Sequence, residues 1–274
     1  MKGKRGNLFL RAHRSLKGKT TVATVYVVLR VAVIAVMVAQ FFNRNFQNVF
    51  LCGLTLILFL LPTIFEKKLK VDLPNTLEII IMFFIFAAEI LGEVRSFYTT
   101  YDGWDTILHT LNGFLCAAIG FSLVDLCDRS ERFSLTLSPV FMAITAFCFS
   151  MTIGVMWEFF ECLMDQRFLL DMQKDTVIQS IATVMLDPTG GNEPVIIRGI
   201  TDVILVTETG EISLGLRGYL DPGLLDTMKD LAVNFIGAVI FSIVGYFYVK
   251  SRGRGRFARR FIPQVLQKDE DDQV

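Results

Sequence analysis

The stretch TVATVYVVLRVAVIAVMVAQFF, residues 21–42, carries one charged residue, Arg30, in an otherwise apolar run. A helix needs roughly 20 such residues to cross about 30 Å of hydrocarbon, so this run reads as a transmembrane helix. It follows a basic stretch and lacks a small-residue cleavage site, which marks it as a retained span rather than a signal peptide. Arg30 inside it requires a partner or a snorkelling route. Comparable runs recur at 47–64, 76–94, 105–127, 135–160 and 227–249. A hydrophobic fraction of 53% and a mean hydropathy of +0.51 agree with that reading. The fold class is therefore an all-α polytopic membrane protein of about six transmembrane helices. A formal net charge of +0 carries no nucleic-acid signature. Cys52, Cys116, Cys127, Cys148 and Cys162 form no CxxC pair, so neither a disulfide framework nor a zinc knuckle is expected, and they read as small core residues.

Orientation follows from where Lys and Arg fall. They concentrate in the tail before residue 20, in KKLK at 67–70, at Arg129 and Arg132, and after residue 249, whereas the opposite short loops hold Arg44 and Arg95. The positive-inside rule then places both termini in the cytoplasm. The chain divides into a basic tail (1–20), five spans (21–160), an extracytoplasmic loop (161–226), a sixth span (227–250) and a cytoplasmic tail (251–274) that reads as a basic anchor with a solvated end. Within the loop, β-branched runs flank TETGE at 207–211, which predicts a β-hairpin over about 195–219 with Gly210 at positive φ. The preceding segment, 167–187, is amphipathic enough for an interfacial helix.

That topology gathers polar residues at one membrane face. Asp105 and His109 lie one turn apart at the start of the fourth span, with Gly113 next on the stripe. Glu158 and Glu161 share a face at the end of the fifth. Asp226, Asp230 and Asn234 follow at four-residue spacing into the sixth, and Glu89 and Glu93 end the third. Ionisable groups in hydrocarbon are expensive and should face one another or a polar pocket. So many carboxylates near one imidazole also call for a compensating cation or protonation. Asp105, His109, Glu158, Glu161, Asp226 and Asp230 are thus candidate ligands of a divalent cation (Mg²⁺, Mn²⁺ or Zn²⁺), with His109, Glu158 and Asp230 as the candidate catalytic groups. Each has a plainer alternative: Asp105 and Asp226 as helix caps, Glu93 and Glu161 as groups reaching the headgroups, the glycines as packing residues, and Trp104 and Trp157 as belt residues.

WDTILHTLNGF (104–114), GVMWEFFECLMD (154–165) and DTMKDLAVNFIGA (226–238) together resemble the YjdF-like bacterial inner-membrane proteins, a family of unknown function, over roughly residues 76–250. A looser similarity is to VanZ-like membrane proteins, from which the long outer loop and Cys162-Leu163 depart. The resemblance implies a bacterial plasma membrane. Three functions are compatible with these residues: a metal-assisted enzyme acting on a lipid or lipid-linked headgroup at the outer leaflet, an ion- or proton-coupled transporter, and a non-catalytic envelope factor. The orientation is checked by membrane-impermeant thiol labelling in intact cells. Thr209→Cys is expected to react and Leu69→Cys to stay protected; the opposite pattern would invert the topology.

Overall fold

The computed structural model describes residues 3–69, 71–128, 137–169, 171–251 and 255–265. They fall into two compact units, one of residues 1–153 and 233–274 and the other of residues 154–232. Lys70, Arg129 and Arg132, used above for orientation, lie outside the described residues, as do residues 135–136 of the expected fifth span.

The first unit begins with α1 (Gly3–Phe42), so the basic tail and the first span are one continuous helix rather than two segments. Arg30 finds its partner one turn back, where its guanidinium stands 4.1 Å from the Tyr26 ring centroid in a cation–π contact. A left-handed Arg44 follows, and Asn45 caps α2 (Phe46–Leu58) by accepting from the Asn48 N–H at 3.1 Å. Then come α3 (Leu61–Leu69), β1 (Val71–Asp72) and α4 (Asn75–Phe86), which passes without a break into a π-helix at Ala87–Val94. The short α5 (Phe97–Thr100) leads to α6 (Trp104–Asp128). Leu29 and Val33 of α1, Cys52 of α2 and Met82 and Ile85 of α4 form one apolar core.

Among the described residues, five helices are long and apolar enough to cross a membrane: Thr20–Phe42, Phe46–Lys68, Trp104–Cys127, Pro139–Phe168 and Leu224–Lys250. The expected third span, 76–94, is helical throughout but changes from α to π geometry at Ala87. The expected fifth span is α7 (Pro139–Phe168), which runs beyond residue 160, and the last is α8 (Leu224–Lys250).

Within the first unit α6 and α8 lie backbone to backbone. A Cβ on Gly113 would clash with the carbonyl oxygen of Asn234, and one on Gly237 with that of Thr110. Further along, Phe114 meets Phe241 at 5.0 Å between ring centroids, and Gly245 receives Phe121, whose Cδ2 would be 2.7 Å from an added Cβ. Residue numbers rise together in both helices, so they run parallel, and α7 returns the chain between them. Ser150 of α7 donates to the Gly113 carbonyl at 2.8 Å, and Gly120 admits Phe149.

The segment after α8 departs from the expected solvated end. A 3-10 turn at Ala258–Arg260 is followed by β8 (Gln264–Val265), which pairs antiparallel with β1. Ala258, Phe261 and Ile262 are buried in the α6–α8 core, and the Phe261 ring sits 5.0 Å from that of Phe114. The basic residues conceal an apolar spacing, with Phe257, Ala258, Phe261 and Ile262 on one side of a tight turn.

The second unit contains the C-terminal end of α7, the N-terminal end of α8 and a ribbon of antiparallel pairs. Of its strands, β2 (Thr176–Ile178) pairs with β7 (Tyr219–Asp221), and β3 (Ser180–Thr183) with β4 (Val195–Arg198). Innermost in sequence, β5 (Ile204–Thr207) pairs with β6 (Gly210–Ser213). The expected hairpin thus shrinks to 204–213, and residues 195–198 and 219–221 pair with earlier strands instead. Gly210 does carry positive φ, at 129°. The expected interfacial helix at 167–187 is absent: α7 stops at Phe168, Leu169 is left-handed, and the β-branched residues that follow enter β2 and β3. Carboxylates brace the turns. Backbone and hydroxyl hydrogen bonds from Thr189 hold the Asp187 carboxyl below the usual aspartate range, and the Ser213 hydroxyl does the same for Asp202.

The α6–α8 seam makes Gly237 intolerant of any side chain. Gly237→Ala should destabilise the purified protein by about 1–3 kcal/mol, read as a lowered thermal midpoint in detergent. Gly53→Ala, where an added Cβ meets nothing within 4 Å, should leave the midpoint unchanged or raise it.

Candidate functional site

In α7 and α8 the buried stripe is apolar or small over most of its length and acidic at one end, whereas in α6 it carries Asp105 and His109 at one end and the buried Asp125 at the other. On α6 it runs back from Phe121 through Ala117 and Gly113 to His109 and Asp105. On α7 it runs forward from Met142 through Ala146, Ser150 and Gly154 to Glu158 and Glu161. On α8 it runs back from Phe241 through Ala238 and Asn234 to Asp230 and Asp226. This segregation is strict on α7, where Glu158 is 4% exposed while its neighbours Trp157 and Phe159 are 43% and 70% exposed. The flanking apolar residues turn outward, and the carboxylate turns in.

In the first unit, Asp105 lies in the opening turn of α6, where the helix dipole favours an anion. Its Oδ1 is 3.3 Å from His109 Nε2, so the aspartate fixes the imidazole from one turn away. Both side chains are largely sheltered. Beside them the Trp104 indole N–H is buried and has no acceptor among the described residues. The Trp104 ring is held edge-on by Phe97 at 5.0 Å.

In the second unit, the expected acidic residues divide into two groups. Asp226 and Asp230 are bridged by Lys229, whose Nζ is 3.0 Å from Asp226 Oδ1 and 3.7 Å from Asp230 Oδ1. Asp226 also accepts from the Lys174 N–H at 2.8 Å and so secures the loop after α7. Asp165 braces the same loop by accepting from Met172 and Gln173. Glu161 accepts from the Trp157 indole N–H at 2.8 Å. Asp230 is 2% exposed, the most deeply buried carboxylate in the described chain. Glu89 lies on the π-helix part-buried, and Glu93 beside it is exposed.

Lys229 was not anticipated, although it stands in the sequence between the two aspartates it neutralises. It supplies part of the positive charge that so many carboxylates require. Asn112, the partner of the anticipated Asn234, was missed because it is uncharged. Asn112 Nδ2 donates to Asn234 Oδ1 at 3.2 Å, and Asn234 Nδ2 approaches the Ser150 carbonyl at 3.5 Å. This amide layer lies one turn deeper along α6 and α8 than His109 and Asp230. All five cysteines are free, in agreement with expectation, but Cys127 and Cys148 are exposed rather than in the core.

The amide layer can be tested as a pair. Asn234→Leu should lower the thermal midpoint by an amount equivalent to about 1–3 kcal/mol, because the Asn112 amide then stays buried without its partner. The double change Asn112→Leu with Asn234→Leu should recover part of that loss. Additive losses would show that the two amides do not act together.

Neither a curated protein nor a solved structure matches this chain. A family described as a predicted membrane protein family, DUF2238, matches residues 25–251. That match takes in all three polar motifs, and it is consistent with the YjdF-like resemblance over residues 76–250. With α6, α7, the ribbon and α8 all inside the match, the chain belongs to the DUF2238 family of predicted membrane proteins.

Proposed function

We propose that the protein is an integral membrane protein whose acidic helix ends form one cation-binding centre, acting on the headgroup of a lipid or lipid-linked substrate at the outer leaflet. The observation that supports this is the parallel register of α6 and α8. Asn112 and Gly113 meet Asn234, and Phe121 meets Gly245, so the two helices keep a nearly constant offset. Both helices continue past this seam in the same chain direction, α6 back to His109 and Asp105 and α8 back to Asp230 and Asp226, which is the ground for reading these residues as one centre. Asp105, His109 and Asp230 would each offer one ligand atom to a divalent cation. A carboxylate-rich set suits Mg²⁺ or Mn²⁺, and the imidazole admits Zn²⁺.

On this reading a cation held by these residues would supply Lewis-acid chemistry toward a phosphoryl or carbonyl oxygen of the headgroup. The chain's own residues divide the remaining work. Asp105 orients His109, and His109 or Glu158 handles a proton. Lys229 limits the repulsion between Asp226 and Asp230, and Trp157 steadies Glu161 at the rim. A one-sided site is favoured over a through-path because Phe114, Phe241 and Phe261 fill the α6–α8 seam on the side away from the acids. A bacterial plasma membrane, with the basic segments cytoplasmic and the ribbon outside, is the setting this reading requires.

Metal analysis of purified protein, with Mn²⁺ and Mg²⁺ titrations followed by thermal shift, tests the centre. The wild type is expected to gain stability with added cation, by about 2.7 kcal/mol at a hundredfold excess over Kd. Asp230→Asn and His109→Ala should each abolish the gain while folding normally. A wild type indifferent to divalent ions, or variants that respond as it does, would reduce the cluster to helix packing.

A further inference from the structure

A second feature lies on the opposite flank of α7 and α8, wholly within the first unit. An open groove of about 520 Å³ runs between the first half of α7 and the second half of α8. Its walls are hydrocarbon and aromatic carbon, with Ala143 and Ser242 as the small residues that create the hollow. On α8 it extends from Phe235 to Phe247, about 18 Å at 1.5 Å per residue. One leaflet of a bilayer core is about 15 Å deep, so the groove has the length of a single leaflet. Both helices are apolar enough to span a membrane, and the groove lies on the half of each that is remote from the acidic ends.

Positive charge collects at one end of this groove. Lys250 follows one turn after the lining residue Tyr246, with its Nζ 5.6 Å from the Tyr246 ring centroid. The folded-back segment packs against Tyr248 and Phe241, which do not line the groove. Gly255 packs beside Tyr248, 3.5 Å from its ring to an added Cβ, and Ala258 and Phe261 anchor the turn in the core. Arg256, Arg259 and Arg260 are thereby left exposed near the end of α8. Basic side chains next to the end of a transmembrane helix attract anionic headgroups.

We propose that this groove binds one acyl chain of an anionic phospholipid, with its phosphate held at Lys250. The site is separate from the acidic centre and depends on nothing proposed for it. Its occupant belongs to the leaflet on the basic side, the leaflet opposite the one the acidic ends face.

The test is native mass spectrometry of the full chain released from nanodiscs containing equal phosphatidylglycerol and phosphatidylcholine with identical chains. The wild type should retain one phosphatidylglycerol in preference to phosphatidylcholine by about fivefold, the effect of roughly one lysine near an anionic surface. Lys250→Gln, at an exposed position, should fold normally and lose most of that preference. Ala143→Phe combined with Ser242→Phe should fill the groove and remove retention of both lipids; should that variant misfold, Lys250→Gln alone decides. Equal retention of the two lipids by the wild type would overturn the proposal, as would a preference untouched by Lys250→Gln. A dimer that dissociates when the groove is filled would assign the surface to a second copy of the chain and overturn it equally.

Discussion

The close approach of α6 and α8 is the constraint on which the rest of the membrane portion depends. Gly113 and Gly237 each face a carbonyl of the opposite helix, so the two backbones pack with no side chain between them. Lipid offers no hydrophobic drive for helices to associate, and such seams are stabilised by dispersion contacts and buried hydrogen bonds. The Asn112–Asn234 amide pair and the Ser150 hydroxyl on the Gly113 carbonyl supply those bonds at the same level. Because the seam fixes a parallel register, it decides which residues of the two helices share a depth.

The acidic ends illustrate how burial and charge are reconciled. A carboxylate enters a low-dielectric setting only with partners, and here the partners are local: His109 for Asp105, Lys229 for Asp226 and Asp230, and the Trp157 indole for Glu161. Each lies within four residues of its carboxylate on the same helix. The helices therefore carry much of their charge compensation as independent units before they meet.

Much of the site was legible in the sequence because it is built from fixed helical spacings. Asp105 and His109, Glu158 and Glu161, and Asp226, Asp230 and Asn234 could be put on common faces from their numbers alone. Gly210 was legible as a turn residue because TETGE interrupts the β-branched run that begins at Val203. What was not legible has specific causes. At 176–183 the apolar residues Val177, Ile178 and Ile181 fit a helix face about as well as a strand, and the pairing partners that decide for strands lie at 195–198 and 219–221. The α-to-π change at Ala87 alters hydrogen bonding without altering hydropathy. In the segment after α8, the arginines dominate the composition, while the burial is carried by Ala258, Phe261 and Ile262.

The pairing of Val71 and Asp72 with Val265 and Gln264 bears on how the protein assembles. Its two strands are separated by nearly the whole of α4 through α8, so it belongs to the slow, non-local class of contacts. The helices can be inserted one after another as they emerge, yet Leu73 and Leu77 keep an unfilled neighbour until Phe261 and Ile262 have been synthesised and folded back. Biogenesis thus has a last step that follows membrane insertion of the helices. A polypeptide stopped short of residue 255 would be fully inserted but incompletely packed, the kind of species that membrane quality-control proteases recognise by its exposed core.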